Sequence, residues 1–229
     1  MTVISAQKIT KIYQDHGVPV TALKELDLEI QSGEFTAVVG PSGSGKSTLL
    51  NLLGGLDQPS SGRIFIEGNE ITALKASRLI ELRLHRIGFV FQSYNLIPVL
   101  TAKENVEFIM LLQKIPRRDR LRRAVELLQS VGLGAHLDRR PTELSGGEQQ
   151  RVAVARALAS LPAFVLADEP TANLDSAAAA NLLDIMQNLN REKGMTFIFS
   201  THDQRVVNRA RRIVTLQDGQ IASDVTVQK

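Results

Sequence analysis

The sequence predicts an α/β fold, in which a parallel sheet with crossover helices carries a small antiparallel β layer and an inserted block of helices. Three observations predict it. Short β-rich apolar runs alternate with helical patterns. A glycine-rich turn joins one such run to a helix. From about Gln92 to Ser160, helical patterns follow one another with no convincing strand between them.

The elements follow in chain order. Residues 2–9, 26–30 and 63–67 read as strands of the antiparallel layer. Phe35-Thr36-Ala37-Val38-Val39 reads as a strand feeding the glycine-rich turn, and residues 47–53 as the start of a helix. Residues 104–113, 119–131 and 148–159 read as helices. The apolar runs 163–167 and 195–199 each end in polar residues, the pattern of buried parallel strands whose carboxyl ends gather functional groups. Residues 1–229 are therefore expected to form one domain, with an α/β core at 1–91 and 161–229 and a helical subdomain at 92–160.

Composition narrows the function classes. The chain has 229 residues, 43% hydrophobic and 22% charged, ample for a sizeable core. Aromatics make up 4% and Trp is absent, which argues against a base-stacking nucleic-acid platform. Without cysteine there is no disulfide or thiolate metal site. No secretory signal is visible, and no stretch approaches the ~18 apolar residues of a membrane-spanning helix. Work at a membrane would need another polypeptide to hold the chain there. Net charge is +3, and the arginine clusters at 117–123 and 209–212 read as solvated helix faces rather than sites for nucleic acid or anionic lipid.

Gly40-Pro41-Ser42-Gly43-Ser44-Gly45-Lys46-Ser47 matches G-x-x-x-x-G-K-[ST] between a predicted strand and a predicted helix. Glycines let successive backbone N–H groups turn inward, forming an anion cradle backed by the positive end of the following helix, which continues through Thr48. Lys46 would reach the β- and γ-phosphates, and the Ser47 hydroxyl would ligate Mg²⁺. Further along, Phe164-Val165-Leu166-Ala167 ends in Asp168 and Glu169. Asp168 is a candidate Mg²⁺ ligand, and Glu169 a candidate to polarise an attacking water.

At Leu144-Ser145-Gly146-Gly147-Glu148-Gln149-Gln150-Arg151 the chain resembles the ABC-type ATPases, whose signature this segment matches. Physically, Ser145-x-x-Glu148 is a capping box, and the glycine pair permits close backbone approach. The resemblance covers nearly the whole chain and implies a P-loop (RecA-like) ATPase core using ATP and Mg²⁺. It implies that Ser145, Gly146, Gly147 and Glu148 contact ATP held by a second, facing copy. Gln92 resembles the glutamine that senses Mg²⁺ where the membrane partner docks. Asn173-Leu174-Asp175 resembles the loop linking the two sites, His202 the histidine that contacts the γ-phosphate, and Tyr13 the aromatic that stacks on adenine.

Residues 53–57, 88–92 and 95–106 resemble the lipoprotein-release and macrolide-export subgroup (LolD/MacB type). That resemblance implies a peripheral subunit on the cytoplasmic side of the bacterial inner membrane. Its partners would be a second copy of itself and a permease with a large periplasmic domain, and it would bind no nucleic acid. Ala172 departs from the subgroup, which usually has Gly there; a methyl should be tolerated. Two other readings compete. A non-transport ABC ATPase acting on nucleic acid or ribosomes usually carries two cassettes, a coiled coil or zinc modules, and a small-molecule kinase would leave residues 145–150 unexplained.

Overall fold

The computed structural model describes residues 1–15 and 18–227. Along the chain, β1 (Thr2–Asp15) and β2 (Val18–Gln31) lead into β3 (Phe35–Val39), α1 (Lys46–Leu53), β4 (Ser61–Ile66) and β5 (Asn69–Glu70). Then come α2 (Ala76–Arg86), β6 (Ile87–Val90), α3 (Ala102–Leu112), α4 (Arg117–Ser130), a 3₁₀ turn (Pro141–Glu143) and α5 (Gly146–Ala159). The chain closes with β7 (Phe164–Asp168), α6 (Ser176–Lys193), β8 (Phe197–Ser200), α7 (Gln204–Val207), β9 (Arg212–Gln217) and β10 (Gln220–Thr226).

The strands form two sheets. One is antiparallel, ordered β2-β1-β4-β5, as the early strand pattern predicts. The other is ordered β10-β9-β3-β8-β7-β6, with every neighbouring pair parallel except the β9–β10 hairpin. The first four residues of β3 and β7 and all of β8 are buried, because helices cover both faces of a parallel sheet. Phe35, Phe197 and Phe199 pack ring against ring on one face. On the other, Leu49, Leu50, Leu52 and Leu53 of α1 join the inward face of the antiparallel sheet in one core.

The segment 92–160 contains α3, α4, the 3₁₀ turn and α5, and no strand. Val106 and Met110 of α3, Ala124 and Leu128 of α4, and Val152 and Ala155 of α5 form a core of their own. The α5 helix is buried along most of its length because α3, α4, β6 and α6 pack around it.

Several elements differ from the sequence reading. β1 and β2 run longer than 2–9 and 26–30, because register shifts absorb the polar residues that break the alternation. Lys8 (φ 48°) and Glu25 (φ 42°) take left-handed backbone at those irregularities. The cluster 209–212 is not a helix face. It follows α7 and enters β9, where Arg209 pairs with Asp184, Arg211 donates to Asn190 and the Gly33 carbonyl, and Arg212 joins Asp224 to Glu34. These arginines clamp the edge of the parallel sheet. The 117–123 cluster does lie on a helix, with Ala124 and Leu128 on the buried side, but it is not wholly solvated: Arg120 pairs with Glu107 and Arg123 donates to the Leu158 carbonyl.

Candidate functional site

The parallel sheet delivers three chain segments to one place. The glycine-rich loop 40–47, hereafter the phosphate loop, leaves the carboxyl end of β3, Asp168 and Glu169 end and follow β7, and Thr201–Asp203 follow β8. These strands are adjacent in the order β3-β8-β7, so residues far apart in sequence become neighbours at a single sheet edge.

Glycine is required in the loop at two positions. Gly40 has φ 151°, and a Cβ there would collide with the Leu216 carbonyl oxygen. Gly45 caps α1 at φ 101°, where a Cβ would sit 2.5 Å from the Ala22 carbonyl oxygen. The Lys46 ammonium donates to the Gly40 and Pro41 carbonyls at 2.9 Å, which folds it over its own loop. The buried Ser44 hydroxyl has no hydrogen-bond partner among the described residues. A left-handed cap, a lysine held at the rim and an orphaned hydroxyl together fit a phosphate-bearing ligand.

Opposite the loop, the Ser47 hydroxyl donates to Asp168 Oδ1 at 3.1 Å. One hydroxyl and one carboxylate suit Mg²⁺, a hard cation that keeps waters and substrate phosphates as its other ligands. No cluster of three or more His, Cys, Asp or Glu side chains occurs among the described residues, so a cage for a softer metal is not present in them.

Glu169 lies in left-handed backbone at φ 45°, an uncommon conformation for a residue with a side chain. Its N–H donates to the Ser200 carbonyl at 2.9 Å, which holds it there. Its two carboxylate oxygens have separate partners: the buried Thr201 hydroxyl donates to Oε2 at 3.2 Å, and His202 Nδ1 lies 2.7 Å from Oε1. A carboxylate only accepts, so Nδ1 carries the proton in this contact and Nε2 is left for other partners on a side chain that is 74% exposed. Asp203 accepts from Thr171 at 2.6 Å and from Arg205. Burial pushes the Asp203 carboxyl up, but the Arg205 and Thr171 hydrogen bonds outweigh it and hold it at about 2.

The 145–148 segment is a reciprocal cap: Ser145 Oγ accepts from the Glu148 N–H, and Glu148 Oε2 accepts from the Ser145 N–H and hydroxyl. The Ser145 N–H bond is the main reason the Glu148 carboxyl lies below its ordinary range. Ser145 and Glu148 make no hydrogen bond to the phosphate loop among the described residues. Gly147 is needed for packing, since a Cβ there would meet Ala178 Cβ of α6 at 2.9 Å. Asp175 accepts from the Ala178 N–H and caps α6. Gln92 is exposed, and its carbonyl accepts from the Asn173 amide at 3.1 Å. Ala172 does not have positive φ, so nothing at that position demands glycine.

Tyr13 stands in β1, 37% exposed, with its hydroxyl on Asp57 at 2.9 Å. The sequence reading does not single out Thr201, Asp203, Lys11 or Asp57. Thr201 and Asp203 flank His202, and Asp57 ends the segment 53–57 that resembles the subgroup; Lys11 has no such context. Beside the Gln92 segment, Leu56, Ile80, Phe89, Phe91 and Phe108 line an apolar groove of about 480 Å³, with Arg83 and Arg156 at its polar edge.

The family model described as ABC transporter matches residues 23–172. The chain belongs to the ABC transporter family. Its lipoprotein-releasing relative LolD from Idiomarina loihiensis is 46% identical over 94% of this chain and 95% of that protein. The macrolide export ATP-binding/permease protein MacB of Brucella melitensis is 45% identical over 97% of this chain but only 34% of its own length. The dimeric, post-hydrolysis structure of the ATP-binding cassette MJ0796 bound to ADP and Pi superposes with a TM-score of 0.91 at 40% identity, covering 99% of each chain. This ABC protein is thus an ATP-binding and ATP-hydrolysing subunit of the LolD/MacB type, with the P-loop ATPase fold. No helix among its described residues is long and apolar enough to cross a membrane.

Proposed function

We propose that the chain powers export or extraction of a lipoprotein, peptide or hydrophobic compound through a separate permease, working as a head-to-tail homodimer that holds ATP between its copies. The observation that carries this reading is the placement of Glu169 and His202 at the same sheet edge as the phosphate loop, Ser47 and Asp168.

In this reading, residues 40–48 with Lys46 bind the phosphates, and Tyr13 stacks on adenine. Ser47, Asp168 and Gln92 hold Mg²⁺, which when bound neutralises charge on the β- and γ-phosphate oxygens. Glu169 orients a water and takes its proton as the water oxygen attacks the γ-phosphorus. The bond from that phosphorus to the β-phosphate bridging oxygen breaks, giving ADP and phosphate. His202 holds the γ-phosphate. Ser145, Gly146, Gly147, Glu148 and Asp175 serve ATP bound by the facing copy, a role that fits a capped helix start with no bond to its own phosphate loop.

The apolar groove beside Gln92 supports a permease partner, because a helix from such a subunit would bury its apolar side there. A large periplasmic domain on that partner, and a peripheral place on the cytoplasmic face of the inner membrane, follow from the subgroup. The separate helical core supports a division into 1–91 with 161–229 and 92–160.

The test is Glu169→Gln. The variant is expected to bind ATP, accumulate as a dimer in size-exclusion chromatography with ATP, and lose turnover by a factor of about 10² or more. Turnover at the wild-type rate would remove the role given to Glu169.

A further inference from the structure

The Tyr13 ring is held from two sides. Lys11 Nζ sits over one face, 4.8 Å from the ring centroid, and Asp57 Oδ2 accepts from the phenol at 2.9 Å. Lys11 also ion-pairs with Asp57 Oδ1 at 2.7 Å and donates to the Gln58 carbonyl at 2.8 Å. The three side chains form a closed triangle. Burial works against a charged Asp57, yet the hydrogen bonds from Lys11 and Tyr13 hold its carboxyl below the ordinary range.

Asp57 itself is anchored. The Leu56 and Asp57 N–H groups donate to the Asn51 carbonyl near the end of α1, the helix that begins at the phosphate loop. The next residues stitch to β1: the Ser60 N–H donates to the Thr10 carbonyl at 2.7 Å, and the Ile12 N–H donates to the Ser60 hydroxyl at 3.0 Å. The α1 helix therefore fixes the phosphate loop at one end and the Tyr13 ring, through Asp57, at the other. One ring face is covered by the Lys11 ammonium, so a flat ligand has the opposite face. Val20, directly across from Tyr13 in the β1–β2 register, is exposed on the same side of the sheet.

We propose that Asp57 and Lys11 are positioning residues for the nucleotide base: they lock the Tyr13 ring at a set distance from the phosphate loop, with one face left for a purine. This rests on the reading that Tyr13 stacks on adenine. The physical gain is preorganisation, since a free tyrosine on an exposed strand would lose its rotamer freedom only on binding.

Equilibrium titration of the full chain with Mg²⁺-ATP and with Mg²⁺-tripolyphosphate, which has phosphates but no base, tests it. Asp57→Ala, Lys11→Met and Tyr13→Phe are each expected to weaken ATP about threefold to tenfold, the size of one lost hydrogen bond, and to leave tripolyphosphate unchanged. The Asp57→Ala/Tyr13→Phe double variant should weaken ATP by less than the product of the two single losses, because both remove the Tyr13–Asp57 bond. Equal losses for ATP and tripolyphosphate, or additive losses in the double variant, would show Asp57 to be a fold support only and overturn the proposal. Tyr13→Ala separates the two levels. If it weakens ATP while Tyr13→Phe does not, base stacking stands and positioning falls. If it leaves ATP binding unchanged, the stacking reading falls and takes the proposal with it.

Discussion

Glu169 Oε1 and His202 Nδ1 meet at 2.7 Å although one residue follows β7 and the other follows β8. The parallel register that sets Asp168 beside Ser200 makes this contact, and the Thr201 hydroxyl on Oε2 completes it. Glu169 is therefore held by its backbone and by both carboxylate oxygens. In the proposed mechanism, His202→Ala releases Oε1 and removes the γ-phosphate contact together. Steady-state phosphate release should show kcat down about 10²-fold with KM for ATP little changed, since the phosphate loop is untouched.

The signals that were legible in the sequence are contiguous ones. Residues 40–47 and the run from Phe164 to Glu169 each declare their own strand, turn and chemistry, and the Ser145-x-x-Glu148 box has the geometry its spacing implies. What escaped depends on pairing between distant segments. The α2 helix packs Leu79 and Leu82 against the core but starts at Lys75 without a side-chain cap, so it has no start signal. The β9–β10 hairpin turns through Asp218 and Gly219, both at positive φ, a two-residue turn signal. Arg209, Arg211 and Arg212 looked like a charged helix face because their partners Asp184, Asn190, Glu34 and Asp224 are scattered along the chain. For the same reason Tyr13 is legible as an aromatic and Asp57 as part of the segment 53–57, whereas the bond between them is not.

Asp203 links Thr171, just after β7, to the start of α7. Its carboxyl lies at about 2 against an ordinary 3.8, a depressed value, so its contribution to stability is full above the unfolded value and is lost as pH falls toward the folded one. Asp203→Asn should therefore cost about 1–3 kcal/mol at neutral pH. Urea midpoints should show that gap constant from about pH 7 to 5 and closing below about pH 4. A gap that persists unchanged below pH 4 would contradict the assignment.

Gly147 fits against Ala178 with no room for a methyl, because its Cβ would stand 2.9 Å from the Ala178 Cβ. Neither atom can rotate away, so Gly147→Ala must shift α5 against α6, an overpacking cost of about 1–3 kcal/mol. Gly146 is different. Its Cβ would meet the Tyr94 hydroxyl at 2.8 Å, the far end of a side chain that can move. Thermal or urea unfolding should rank Gly147→Ala below Gly146→Ala, and Ala178→Gly should recover part of the Gly147→Ala loss, reduced by the helix cost of glycine.

The groove beside Gln92 presents Ile80, 55% exposed, and Leu56 as uncovered apolar side chains. Under the proposed function these two side chains face the permease. If a permease helix covers them, Ile80→Glu replaces an apolar contact with a carboxylate that the docked helix would desolvate, with only Arg83 and Arg156 in the groove to offset that cost. Affinity purification from detergent-solubilised membranes should then recover less permease with Ile80→Glu than with the wild type, by about tenfold or more. The ATP affinity of the isolated variant, set by the separate phosphate loop, serves as the folding control. Undiminished recovery would move the docking surface away from this groove.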